Sequence, residues 1–167
     1  MKKQFSILLL ILFLIGCVSQ PTNTAQFTQT SLPSTASEAQ AVLIKFFELL
    51  NTKQYAEADS LYSGSYEGLQ DNNPSVDLSD HAKLLANACE INGHKCLLAR
   101  AAIFKELRGD KYVFQVEFSN PDGSLFVRGP CCGANETDMP PESQFEYGVA
   151  RNADGKFLVM ELPPYVP

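Results

Sequence analysis

Histidine is scarce in this 167-residue chain: His81 and His94 are the only two. Both fall in or beside turns and are expected to be exposed. General acid–base chemistry would therefore fall to carboxylates and tyrosines. Asp59, Tyr62, Glu117 and Tyr147 are the candidates, and none stands in a recognisable pair. Asp59 falls close to the apolar face of its helix, which sets it apart, although the plainer reading is a solvated or capping carboxylate. Gly-x-Ser-x-Gly, His-Glu-x-x-His, phosphate-loop and Gly-x-Gly-x-x-Gly patterns are all missing. Basic charge is also short, with 13 Lys and Arg against 19 Asp and Glu, a net charge of −6. An acidic chain is a poor partner for nucleic acid or anionic headgroups. No apolar run approaches the roughly 20 residues that cross a bilayer as a helix, and no internal repeat is present.

What is there begins at the N-terminus. Met1-Lys2-Lys3 is a short basic start, Ile7–Ile15 is uninterrupted apolar sequence, and Gly16-Cys17 follows. A basic segment, a short apolar segment and a small residue before a cut describe an export signal. Leu14-Ile15-Gly16-Cys17 resembles the lipobox of bacterial lipoproteins. That resemblance implies cleavage after Gly16, so that residues 1–16 are a signal peptide. It also implies a diacylglyceryl group on the Cys17 thiol, and membrane lipid as a partner through the acylated cysteine. Two or more acyl chains hold a protein durably where one holds it marginally. Val18 stands where an Asp often favours inner-membrane retention in Gram-negative lipoproteins, so the resemblance leans toward the outer membrane if there is one. Without Lys2 and Lys3, 11 basic residues would face 19 acidic ones, a net charge of −8.

Residues 17–36 are rich in Ser, Thr, Gln and Pro and bury too little to offset the entropy of ordering. They are expected to be a flexible tether after the lipidated cysteine, with a single domain from 37 to 167. Ser37-Glu38-Ala39-Gln40 fits a capping box. Ala39, Val42, Leu43, Phe46, Phe47 and Leu50 then recur at helical spacing. A second, shorter helix fits residues 54–62, and residues 63–78 read as a long loop. A third helix fits 79–91, capped by Ser79 and stopped by Asn92-Gly93. Strands fit 96–107, 111–119, 124–128, 145–151 and 156–162, separated by turns such as Arg108-Gly109-Asp110 and Asn152-Ala153-Asp154-Gly155. The prolines at 163, 164 and 167 are expected to stop further pairing. Helices followed by strands on short turns predict an α+β domain with an antiparallel sheet.

Val42-x3-Phe46-Phe47-x2-Leu50, then Tyr55-Ala56-Glu57-Ala58-x2-Leu61-Tyr62, resembles the opening of the NTF2-like, cystatin-like superfamily. The likeness implies N-terminal helices packed on a curved antiparallel sheet, forming a cone. Such cones usually hold a pocket, whose wall here would come from Phe46, Phe47, Phe114, Phe118, Phe145, Tyr147 and Phe157. The plainer reading is that these rings are core. The four cysteines and the long loop 129–142 depart from the usual layout, and fold alone assigns no activity.

Cys17 aside, Cys89, Cys96, Cys131 and Cys132 remain, an even number in an exported chain, which reads as two disulfides. In the preferred pairing, Cys89 and Cys96 each bond one member of the adjacent pair and staple the helix–strand corner to the late loop. In the alternative, Cys89 bonds Cys96 and Cys131–Cys132 closes a strained ring, which would suggest a redox or ligand-gripping role. A zinc set of Cys89, His94, Cys96 and Cys131 or Cys132 is disfavoured, because structural zinc ligands are normally spaced more closely.

The function expected from all this is a membrane-anchored, non-enzymatic envelope lipoprotein facing outside the cytoplasm. It would bind a small apolar ligand or an envelope protein, and no cofactor is implied. The alternatives are an NTF2-like isomerase or dehydratase, which needs a buried ionisable pair, and a structural component with a filled cone.

Overall fold

The computed structural model describes residues 34–167. The export segment, Cys17 and the tether up to residue 33 lie outside the described residues. Among the described residues four helices precede four strands: α1 (Ser34–Asn51), α2 (Tyr55–Asp59), α3 (Glu67–Asp71), α4 (His81–Glu90), β1 (Leu98–Arg108), β2 (Lys111–Ser119), β3 (Phe145–Arg151) and β4 (Phe157–Val159). The strands form one antiparallel sheet in the order β1-β2-β3-β4. The domain is α+β. Among the described residues no helix is long and apolar enough to cross a membrane.

The stripe of α1 is the organising feature. Ala36, Ala39, Leu43, Phe46, Phe47 and Leu50 are buried on one face, joined by Leu49. The helix lies across the sheet and touches all four strands. It reaches back beyond the capping box, so residues 34–36 are helix and not tether. Ala36 is wholly buried there. Gln40 does not reach back as a cap, because its Nε2 donates across to the Ala102 carbonyl on β1.

The sheet is shorter than expected. Residues 124–128 make only two isolated bridges, Ser119 to Leu125 and Arg128 to Glu142, so four strands stand where five were predicted. β4 is brief, and its outer edge is covered by the segment after α2. Ser63 N–H donates to the Val159 carbonyl (2.9 Å) and Val159 N–H to Leu61 (2.8 Å), which satisfies an edge that would otherwise attract another strand. β1 carries two irregularities in register, between Ala99 and Ala101 and between Phe104 and Glu106, and such bulges bend a strand.

α3 falls within the predicted loop. It is too short to show a periodic stripe, and a side-chain ladder ties it down. Asn73 Nδ2 donates to the Leu69 carbonyl (2.7 Å), and Asn87 Nδ2 on α4 donates to Asn73 Oδ1 (2.8 Å). α4 begins two residues later than predicted, with Asp80 as its cap accepting from Lys83 N–H. The Ser79 hydroxyl is committed to Asp77 (2.6 Å).

The prolines of the tail do not stop pairing. Lys95 N–H donates to the Pro164 carbonyl (2.8 Å), and Val166 N–H to Gly93 (3.0 Å). Proline lacks only the donor, so its carbonyl still accepts. Gly93 is required at this crossing. It sits at φ +84°, and a Cβ there would lie 2.4 Å from the Val166 carbonyl oxygen.

Candidate ligand groove

The expected pocket wall is a filled core. Phe46, Phe47, Phe114 and Phe118 have no accessible surface, and Phe145, Tyr147 and Phe157 are nearly as buried. A ring lining a cavity wide enough for water would carry accessible surface. Instead Phe47 meets Phe118 edge-on at 4.8 Å and Tyr147 at 4.9 Å, and Phe118 meets Phe145 at 5.7 Å. These separations are those of favourable aromatic pairs, and they close the space between α1 and the sheet.

The cysteines also pair otherwise than preferred. Cys89 bonds Cys96, with Cα atoms 5.5 Å apart and seven residues of separation, so no staple reaches the late loop. The turn at Gly93 brings the end of α4 back to the sheet, and a short loop closes at lower entropic cost than a long one. With these sulfurs bonded to each other, the zinc set has lost two ligands. His94, expected in the open, is partly buried, and its Nδ1 lies 3.0 Å from the Pro163 carbonyl. Cys131 and Cys132 are not disulfide-bonded, and their sulfurs lie 2.7 Å apart.

The acid–base candidates separate in space. Tyr147 is buried, its hydroxyl donates to the Leu162 carbonyl (3.3 Å), and burial reinforced by the Glu161 charge pushes its ionisation well above the ordinary range. Glu117 accepts from Gln144 on the outer face of β2 (2.9 Å). Asp59 acquires partners that spacing did not reveal. Its Oδ1 accepts from the Tyr66 hydroxyl (2.6 Å) and lies 3.1 Å from His81 Nδ1. The His81 ring stacks on Tyr66 at 3.9 Å, Tyr66 meets Tyr62 edge-on at 5.2 Å, and Tyr62 stacks on Phe46 at 5.8 Å. A ladder of rings thus runs from the core to a partly exposed histidine. Burial raises Tyr62 to about 12, with the Glu161 charge adding to it. Burial, then the hydrogen bond to Asp59, holds Tyr66 higher still. Spacing did not join Tyr66 and His81 to Asp59, because they lie 7 and 22 residues from it, on separate elements.

The concavity best suited to a ligand lies elsewhere. A groove of about 450 Å³ runs between the loop after Arg128 and the C-terminal tail. Met139, Pro140, Tyr165, Val166 and Pro167 give it apolar walls, and Arg128, Glu142, Cys131 and Cys132 supply its polar atoms. The loop has a closed neck. Arg128 and Glu142 exchange two backbone hydrogen bonds (2.7 and 2.9 Å), and their side chains form an ion pair. The Arg128 guanidinium also sits 5.4 Å from the centre of the Phe145 ring. The opposite wall is the tail, pinned to residues 93–95 beside the disulfide, with Tyr165 packed on His94 at 5.3 Å. A wider depression of about 600 Å³ near Cys89 and Cys96 is edged by Lys53, Glu90 and Lys95, a charged rim that suits water better than an apolar ligand. Compared with family models, curated proteins and solved structures, the chain matches none.

Proposed function

We propose that this is a lipid-tethered protein of the bacterial cell envelope whose domain binds a small, mainly apolar ligand and catalyses nothing. The observation that carries the binding role is the groove between the necked loop and the pinned tail. Its size and its apolar walls with a few fixed polar groups are those of small-molecule sites. Because Arg128 is neutralised by Glu142, the groove offers no net cation to an anion. The tether and anchor rest on the lipobox-like Leu14-Ile15-Gly16-Cys17, and an outer-membrane position rests on Val18 alone. Kinship with the NTF2-like, cystatin-like cone is supported by the order of helices before an antiparallel meander, with α1 across the sheet and bulges in β1. The ligand site proposed here is at the edge of that layout, since the interior is packed.

The test is a titration of the purified protein with the neutral apolar reporter dye N-phenyl-1-naphthylamine. Saturable binding is expected, weakened roughly tenfold by Met139→Asp, since a charge in an apolar wall must stay solvated. Tyr165→Ala should weaken it as well. Binding that survives both substitutions would remove the groove from the proposal. A second reading, an isomerase- or dehydratase-type enzyme, has one observation in its favour, the Asp59–Tyr66–His81 cluster. Its tyrosine proton is already committed to Asp59, which disfavours it as a proton donor to substrate.

A further inference from the structure

We propose that Cys131 and Cys132 form a thiol–disulfide exchange site, a vicinal dithiol that closes to a vicinal disulfide by reacting with a low-molecular-weight disulfide. This goes beyond ligand binding and does not depend on the groove holding a ligand.

Adjacent side chains on extended backbone point to opposite faces, so neighbouring cysteines normally hold their sulfurs apart. Here Cys132 sits at φ +60° and Gly133 at +87°, and Ala134 N–H turns back to the Cys131 carbonyl (2.9 Å). That left-handed conformation is costly for a residue with a side chain. Its consequence is to bring the two sulfurs to 2.7 Å, a fraction of an ångström from a bond of about 2.05 Å. Strain of this kind points toward function when the surroundings hold it in place; the Ala134–Cys131 hydrogen bond closes this turn, in a loop whose ends Arg128 and Glu142 tie together.

The pair is accessible. Cys132 is exposed and Cys131 partly so, and both line the groove mouth. Neither belongs to the core, whereas Cys89 and Cys96 pack against it. The two pairs therefore differ in role. Cys89–Cys96 closes a corner against which the tail is held, while Cys131–Cys132 lies in a loop whose redox state can change without disturbing the sheet. Hydrogen bonding to Cys132, followed by desolvation, holds the Cys131 thiol above its ordinary ionisation, so the exposed Cys132 is the first nucleophile.

The steps balance. The Cys132 thiolate attacks one sulfur of R–S–S–R, the S–S bond breaks, and one R–S⁻ leaves, forming a mixed disulfide on Cys132. The Cys131 sulfur, giving up its proton, then attacks the Cys132 sulfur and expels the second R–S⁻. Two protein thiols are oxidised, one external disulfide is reduced to two thiols, and the two protein protons pass to the products. A vicinal ring departs from relaxed disulfide geometry and is the more reducible for it.

The full-length protein is equilibrated with oxidised and reduced glutathione at graded ratios, alkylated, and mapped by peptide mass. Cys131 and Cys132 should convert together between two alkylated thiols and none. Their conversion should occur at poises where Cys89–Cys96 stays bonded, with the two equilibria separated by roughly tenfold or more. Cys131→Ser should trap one glutathione on Cys132, which the unmodified protein does not retain. The proposal is overturned if both cysteines stay alkylatable under excess oxidised glutathione. It is equally overturned if the unmodified protein retains the adduct as the variant does, or if both disulfides reduce together.

Discussion

Phe47→Ala separates a filled interior from a hollow one. Phe47 has no accessible surface and meets three rings, Phe118 at 4.8 Å, Tyr147 at 4.9 Å and Phe46 at 5.4 Å. In a packed core, truncating Phe to Ala costs about 3–5 kcal/mol, as lost transfer energy plus an unfilled cavity. The two edge-on pairs place this site in the upper part of that range. A loss of about 4–5 kcal/mol is a large part of the roughly 5–15 kcal/mol that keeps a domain folded. At roughly 3–4 °C per kcal/mol for a domain of this size, Tm should fall by about 12–20 °C. Urea unfolding followed by circular dichroism gives the free energy, and a thermal scan checks it. If Phe47 instead walled an open pocket, truncation would enlarge a space already solvated. The cost would then stay under about 2 kcal/mol, and binding of the apolar dye would rise. That result would refute the filled-core reasoning and return the ligand site to the cone.

Three further outcomes are expected. Raising the pH through 10 should destabilise the domain. Tyr62, Tyr66 and Tyr147 are held protonated above their ordinary value, so the stability they confer is whole below about pH 10 and is lost as the unfolded chain ionises first. With Tyr62 releasing its proton near 12, the three together should remove about 4 kcal/mol by pH 11; urea midpoints that stay level from pH 9 to 11 would show these hydroxyls to be free. Replacing both Cys89 and Cys96 by Ser should cost about 2.5 kcal/mol, since the bridge spans only seven residues of separation. It should also loosen the tail, read as faster hydrogen exchange at Lys95 and Val166; unchanged exchange there would mean the bridge does not hold the tail. Cys17→Ala should leave the protein uncut and free of acyl chains. If the variant is still processed and recovered with membranes, the lipoprotein reading is wrong.

The helix of α1 and the alternation of β2 were legible because each buries one face and repeats that choice over several turns or pleats. Phe114, Val116 and Phe118 are inward as the pattern requires, although Val113, on the other face, is buried as well. α3 was not legible, since five residues held by Asn73 and Asn87 carry no period. Residues 124–128 have strand composition but find no continuous partner, and the loop's neck holds them through Arg128 and Glu142.

By itself, the sequence determined the class of the fold, helices before an antiparallel sheet, because periodic burial is a local property that spacing records. It determined the export-like N-terminus as an expectation, and it marked the four cysteines and the aromatic set as residues that matter. Only the tertiary structure decided what those residues do. It closed the rings into a packed core, joined Cys89 to Cys96 across a glycine turn, and brought Asp59, Tyr66 and His81 together from three elements. It also formed a groove between the loop after Arg128 and the C-terminal tail. Each of these depends on distances between separate elements, which packing sets and no periodic pattern encodes.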